Sequence, residues 1–106
     1  MAELLSGTLD LLILRVLNAG SLHGFGIGER IQVLSNDVLE VEEGSLYPAL
    51  YRMEAKGWIV AEWGLSERGR KAKIYSLTKE GRKQLGAERK NWSDIAIAIS
   101  DVLKNA

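Results

Sequence analysis

The side chains of this chain that are best placed for chemistry are phenols, guanidinium groups and amines. Tyr47, Tyr51 and Arg52 sit together in the stretch Glu42–Glu54, and Arg68, Arg70, Lys71 and Lys73 gather within residues 68–73. Such groups bond and neutralise an anion; they do not by themselves make or break covalent bonds. Fixed cations of this kind suit phosphate oxygens. A formal net charge of zero argues against a polyanionic partner until its distribution is read. Residues 1–42 carry two basic and six acidic groups, residues 43–90 eleven and six, and residues 91–106 one and two, giving net charges of −4, +5 and −1. The positive charge forms one contiguous block that opens at the Tyr47–Arg52 stretch. The competing reading is a set of ordinary solvated lysines and arginines.

Covalent chemistry is excluded. Serines, the single histidine and scattered carboxylates form no nucleophile–base or acid–base pair that a fold would bring together, so an enzyme is not expected. The chain has no cysteine, which rules out disulfides, thiolate zinc and cysteine catalysis and suits a reducing cytoplasm. His23 has no carboxylate pair at ligand spacing, so neither a metal nor a cofactor is expected, and a turn or capping role is. Leu9–Leu17 is interrupted by Asp10 and Arg15 and is too short for a signal peptide or membrane span.

A chain of 106 residues with 46% apolar content makes one domain with a modest core that oligomerisation would help. Thr8 can cap a first helix. Its stripe is Leu9, Leu12, Ile13, Val16 and Leu17, with Leu11 and Leu14 making it apolar nearly all round. Asn18–Ser21 ends it. A second helix is expected over Gly24–Leu34, with Ile27, Ile31 and Leu34 on one face. Its glycines at 24, 26 and 28 point to close helix approach rather than to a nucleotide loop. Ser35–Asp37 is a turn, and Val38–Glu42 alternates as a short extended segment. A third helix is expected over residues 44–56, with Ser45 as N-cap, Pro48 in the first turn, and Leu46, Leu50 and Met53 as its buried stripe. Tyr47, Tyr51 and Arg52 then point elsewhere, as befits a helix that reads another surface.

Trp58–Trp63 and Ala72–Leu77 are strand-like and flank the loop 64–71, making a hairpin with a basic tip. Trp58 and Trp63 are expected to pack the hairpin rather than stack on bases. Thr78 and Gly81 open a last helix. Leu85, Trp92 and Ile99 recur at sevens along it, with Ile95 or Ala96, and beyond Ile99 Val102 or Leu103, at the alternate positions, as a heptad-like seam for a second copy. The fold class is therefore mainly α with a small β-hairpin: a winged helix-turn-helix over residues 1–78 and a C-terminal dimerisation helix over 79–106. A major groove admits one helix, a wing lays cations along phosphates, and paired copies present two reading helices about one turn apart.

The chain resembles the PadR family of transcriptional regulators. The matching segments are Gly7–Leu14, Leu22–Ile27, Val41–Leu50, Gly57–Ile59 with Glu62–Gly64, and Arg70–Thr78 with Gly81. The run Gly44-Ser45-Leu46-Tyr47-Pro48-Ala49-Leu50 is highly specific. Phe25 stands where the family usually has tyrosine, and the single C-terminal helix looks like the short-tailed branch. The resemblance implies that Ser45, Tyr47, Pro48, Tyr51 and Arg52 face the groove. It makes Arg70, Lys71 and Lys73, with Arg68, the phosphate contacts of the wing. Some members of the family use an aromatic at the place matching Trp92 to line a pore between protomers where a small hydrophobic or aromatic effector stacks, which makes Trp92 a candidate effector contact; the simpler reading is a tryptophan on a heptad seam that packs the dimer. The expected function is a cytoplasmic, ligand-responsive homodimeric repressor, binding an inverted-repeat operator in double-stranded DNA through helix 44–56 and wing 64–73. The alternative is a winged-helix protein–protein interaction module, which would need no such cationic tip.

Overall fold

The computed structural model describes residues 6–106 as four helices and three strands: α1 (Ser6–Ala19), β1 (Leu22–His23), α2 (Gly24–Leu34), α3 (Glu43–Ala55), β2 (Ile59–Leu65), β3 (Lys71–Leu77) and α4 (Lys79–Asn105). It is a winged helix-turn-helix. The strands form one antiparallel sheet in the order β1-β3-β2. No helix among the described residues is long and apolar enough to cross a membrane.

α1 is central. Leu9, Ile13, Leu14, Val16 and Leu17 are all buried, with Leu11 and Leu12 packed partly against the same core, so the helix is enclosed on more than one side. Burying each such side chain stabilises by about 1.5–3 kcal/mol relative to exposure. The helix is already under way at Ser6, so Thr8 lies inside it and is not its cap. α2 has the expected bounds, but only Ile27 and Ile31 of its stripe are buried. Leu34 is 61% exposed, because the last turn runs past the core. His23 caps α2: its Nδ1 accepts a hydrogen bond from the amide of Gly26 at 3.2 Å. Ser35–Asp37 turns as expected, with Asn36 and Asp37 at positive φ, and no strand forms over residues 38–42.

Leu22 and His23 pair with Tyr75 and Ile74, a strand contact absent from the sequence reading. The β2–β3 register sets Ile59 opposite Leu77, Ala61 opposite Tyr75, Trp63 opposite Lys73 and Leu65 opposite Lys71. These pairs share one face of the sheet. Ile59 and Tyr75 anchor that face in the core, and Trp63, Leu65, Lys71 and Lys73 carry it out to the exposed tip. β2 runs on to Leu65, so the loop shrinks to residues 66–70, where Ser66 N–H donates to the Arg70 carbonyl at 2.7 Å.

Thr78 caps α4, accepting from the Gly81 amide at 3.0 Å. Its hydroxyl hydrogen is shared between the carbonyls of Gly57 (2.7 Å) and Trp58 (2.9 Å), and its own amide donates to Trp58 at 3.1 Å. The root of α4 is thereby fastened to the turn that follows α3. Gly81 and Leu85 are its buried residues; beyond them the helix projects, which accounts for extents of 53 × 29 × 22 Å.

Candidate nucleic-acid interface

α3 is built as a two-faced helix. Leu46, Ala49, Leu50 and Met53 are between 0% and 3% exposed and fix it to the core. Opposite them, Pro48, Tyr51 and Ala55 are exposed, with Tyr51 at 76%. The helix begins earlier than its residue types suggested. Glu42 is the N-cap, without a side-chain bond, and its carbonyl accepts from the amides of Ser45 and Leu46 at 3.0 and 2.9 Å. Ser45 is therefore a first-turn residue with an exposed side chain, and Pro48 lies in the second turn, where it deprives the Gly44 carbonyl of its helical partner. The C-terminal end closes on Gly57 at φ +78: Trp58 N–H reaches the Met53 carbonyl at 3.1 Å and Gly57 N–H the Glu54 carbonyl at 3.0 Å.

The two flanks of α3 are held differently. Tyr47 leans on α2; a Cβ at Gly24 would meet its ring at 2.8 Å, so the absence of a side chain there makes room for it. Of the other two α2 glycines, Gly28 faces Leu46 at ordinary contact distance, and Gly26 lies under the His23 ring rather than against a helix. Tyr47 is still 44% exposed, and it lines a cleft of about 450 Å³ with His23, Phe25, Lys73 and Tyr75. The cleft joins α3 to the wing. Burial, with Glu54 and Tyr47 nearby, pushes the phenol of Tyr75, in the wall of this cleft, above its ordinary value.

On the other flank, Arg52 departs from expectation. It is not an unencumbered outward cation: its Nη2 donates to Asp10 Oδ1 of α1 at 2.5 Å. Burial pushes the Asp10 carboxyl up; Arg52 and Lys56 pull it down and Glu88 adds to the rise, so desolvation outweighs the guanidinium.

The wing presents Arg68, Arg70, Lys71 and Lys73 as exposed side chains, the first two in the loop and the others on β3. Trp58 is half-buried, with the Lys56 ammonium 4.6 Å above its ring. Trp63 does not pack as expected. It is 65% exposed at the end of the hairpin, with Lys71 Nζ 5.5 Å from its ring centre.

Away from this face, α4 shows Trp92, Ile95, Ile99, Val102 and Leu103 at 42–78% exposure. Leu85, expected on the same seam, instead belongs to its own core at 5% exposure, because α1 covers the first turns of α4. A groove of about 820 Å³ opens between α1 and α4, lined by Leu11, Leu12, Arg15, Trp92, Ala96 and Ile97 among others. Ile97, off the heptad stripe, and the α1 residues were invisible as groove residues from α4 periodicity alone.

Residues 13–87 match the model of the transcriptional regulator PadR-like family. Over 65 residues the chain is 37% identical to the transcriptional regulator Rv3488 of Mycobacterium tuberculosis, covering 61% of this chain and 60% of that protein. The crystal structure of a PadR-like transcriptional regulator from Bacillus cereus superposes with a TM-score of 0.80 at 26% identity, covering 99% of this chain and 100% of the other. That of a PadR family transcription regulator from Clostridium difficile gives 0.75 at 31% identity, over 90% and 97%.

Proposed function

The chain belongs to the transcriptional regulator PadR-like family, whose members are DNA-binding regulators rather than enzymes and typically act as dimers, and from that premise we propose that it is a cytoplasmic, ligand-responsive homodimeric repressor of an inverted-repeat operator. Residues 1–78 read DNA and residues 79–106 pair two copies. Ser45, Tyr47, Pro48, Tyr51 and Arg52 enter the major groove, and Arg68, Arg70, Lys71 and Lys73 neutralise the flanking phosphates. One observation carries the reading: the Tyr47 flank of α3 and the β3 side of the wing share a single cleft, with Tyr47 from one and Lys73 from the other among its walls. A helix in the groove and cations on the backbone then bind the same duplex together.

Replacing Arg70 and Lys71 by alanine tests this. In the dimer the change removes two cations from each of two wings. The salt slope of operator binding is expected to fall by about four, with the dimer intact. The unmodified protein is expected to lose about a thousandfold or more in affinity between 50 and 200 mM salt. Fluorescence anisotropy of a labelled duplex, selected by the protein from a randomised pool, reads both. An unchanged affinity and slope would remove the wing from the interface and favour a protein-binding winged helix.

Trp92 lines the α1–α4 groove, and we place a flat hydrophobic effector on it. Binding there releases the operator by favouring a dimer geometry in which the reading helices are mis-spaced. Planar aromatic compounds are expected to quench fluorescence in a variant carrying Trp58→Phe and Trp63→Phe, where Trp92 is the remaining tryptophan. Quenching lost in that variant would put the compounds elsewhere.

A further inference from the structure

Among the described residues, Asp10 is the buried charged side chain, only 7% exposed, and it stands where three helices meet. Arg52 of α3 is bonded to it, and Lys56, just past the end of α3, and Glu88 of α4 are the other charges that act on it. Burial raises the Asp10 carboxyl by more than the arginine lowers it, and an ion pair buried at one end is weak evidence for stability. Arg52 itself is not enclosed: its side chain keeps 40% exposure. Of the five N–H donors of a guanidinium, the bond to Asp10 occupies one end of the fork. Helical spacing puts Arg52 one turn after Pro48 and next to Tyr51, at the border of the exposed face of α3.

We propose that Asp10 is a positioning residue for operator recognition: it anchors one end of the Arg52 guanidinium and thereby aims the remaining donors at one fixed point on the DNA. This role presupposes the DNA-reading face of α3 proposed above. A free arginine follows any nearby phosphate and adds affinity for all sequences. An arginine tied at one end has its orientation set in advance and bonds well only where an acceptor stands in the right place. The carboxylate behind it also penalises phosphates that approach out of register. The pair therefore adds discrimination more than affinity.

The test compares a duplex enriched by the unmodified protein with an unrelated duplex of equal length. In Asp10→Asn, operator affinity is expected to fall and binding to the unrelated duplex to hold or tighten, so that their ratio drops on the order of tenfold. Thermal stability is expected to be unchanged or raised. Arg52→Lys keeps the charge but not the fork, and is expected to lower the ratio likewise, which keeps the test open if Asp10→Asn fails to fold. In an Arg52→Ala background, Asp10→Asn is expected to have no further effect on the ratio. A preserved ratio in Asp10→Asn, a fall in both affinities together with the melting temperature, or an undiminished effect without Arg52 would each overturn the positioning role. If the unmodified protein enriches no sequence at all, the DNA-reading role of α3 fails as well, and the two failures are thereby told apart.

Discussion

Alanine at Gly81 is expected to cost the fold about 3 kcal/mol or more, the largest loss from any single methyl group added to this chain. A Cβ there would lie 2.0 Å from the Trp58 carbonyl oxygen and 2.6 Å from Leu77 Cδ1. The first neighbour is backbone, so it cannot rotate away as a side chain would. It is also held in place, since the same carbonyl accepts from the Thr78 amide and hydroxyl. Relief would require the first turn of α4 to move away from Trp58 and Leu77, disturbing the burial of Leu85. Gly86 is the control: nothing lies within 4 Å of a Cβ built there, and alanine at that exposed helical position is expected to add about 0.5–1 kcal/mol of stability. Urea unfolding followed by circular dichroism should move the midpoint sharply down for Gly81→Ala and up for Gly86→Ala. Equal midpoints would show that α4 is not seated on the Trp58 carbonyl.

The second large effect belongs to the exposed stripe of α4. Replacing both Ile95 and Ile99 by glutamate is expected to convert the dimer to a folded monomer. These side chains are 42% and 51% exposed and lie outside the core of the protomer, so the winged helix should keep its secondary structure. The paired seam would instead bury four carboxylates without partners. Sedimentation should report the mass of one chain, and operator affinity should fall on the order of a hundredfold or more, because the second half-site is no longer presented at high effective concentration. A variant that stayed dimeric would place the interface on another surface, such as the Val33, Leu34 and Val38 cluster at the end of α2.

Periodic features were legible in the residues. The enclosed α1, the bounds of α2, the buried stripe of α3 and the hairpin follow from spacing and residue type, and the capping by His23 and Thr78 from local hydrogen-bond chemistry. What could not be read depends on where distant elements meet. β1 has two residues and no period, and exists because β3 offers a free edge. The bond between Arg52 and Asp10 joins positions 42 apart in sequence, so each residue alone looks like an ordinary charge. Leu85 fits a seven-residue repeat as well as Trp92 does. Only the position of α1 decides that one is core and the other is open. Ser45 and Pro48 are good early-helix residues and point to a later start for α3, whereas the actual cap uses the backbone carbonyl of Glu42.

The fastening of α4 by Thr78 and Gly81 to the backbone at Trp58 makes the helix a lever with its fulcrum beside the end of α3. Twenty-seven helical residues span about 40 Å at about 1.5 Å each. Over that length a tilt of about 5° displaces the far end by about 3.5 Å, the axial step from one base pair to the next along a duplex. If two such levers are clasped along their outer halves, the clasp sets the separation of the reading helices. Small changes of crossing angle there are multiplied into whole base-pair steps at the DNA. In a dimer clasped in this way, operator spacing would be measured by the straightness of one helix and the rigidity of its root.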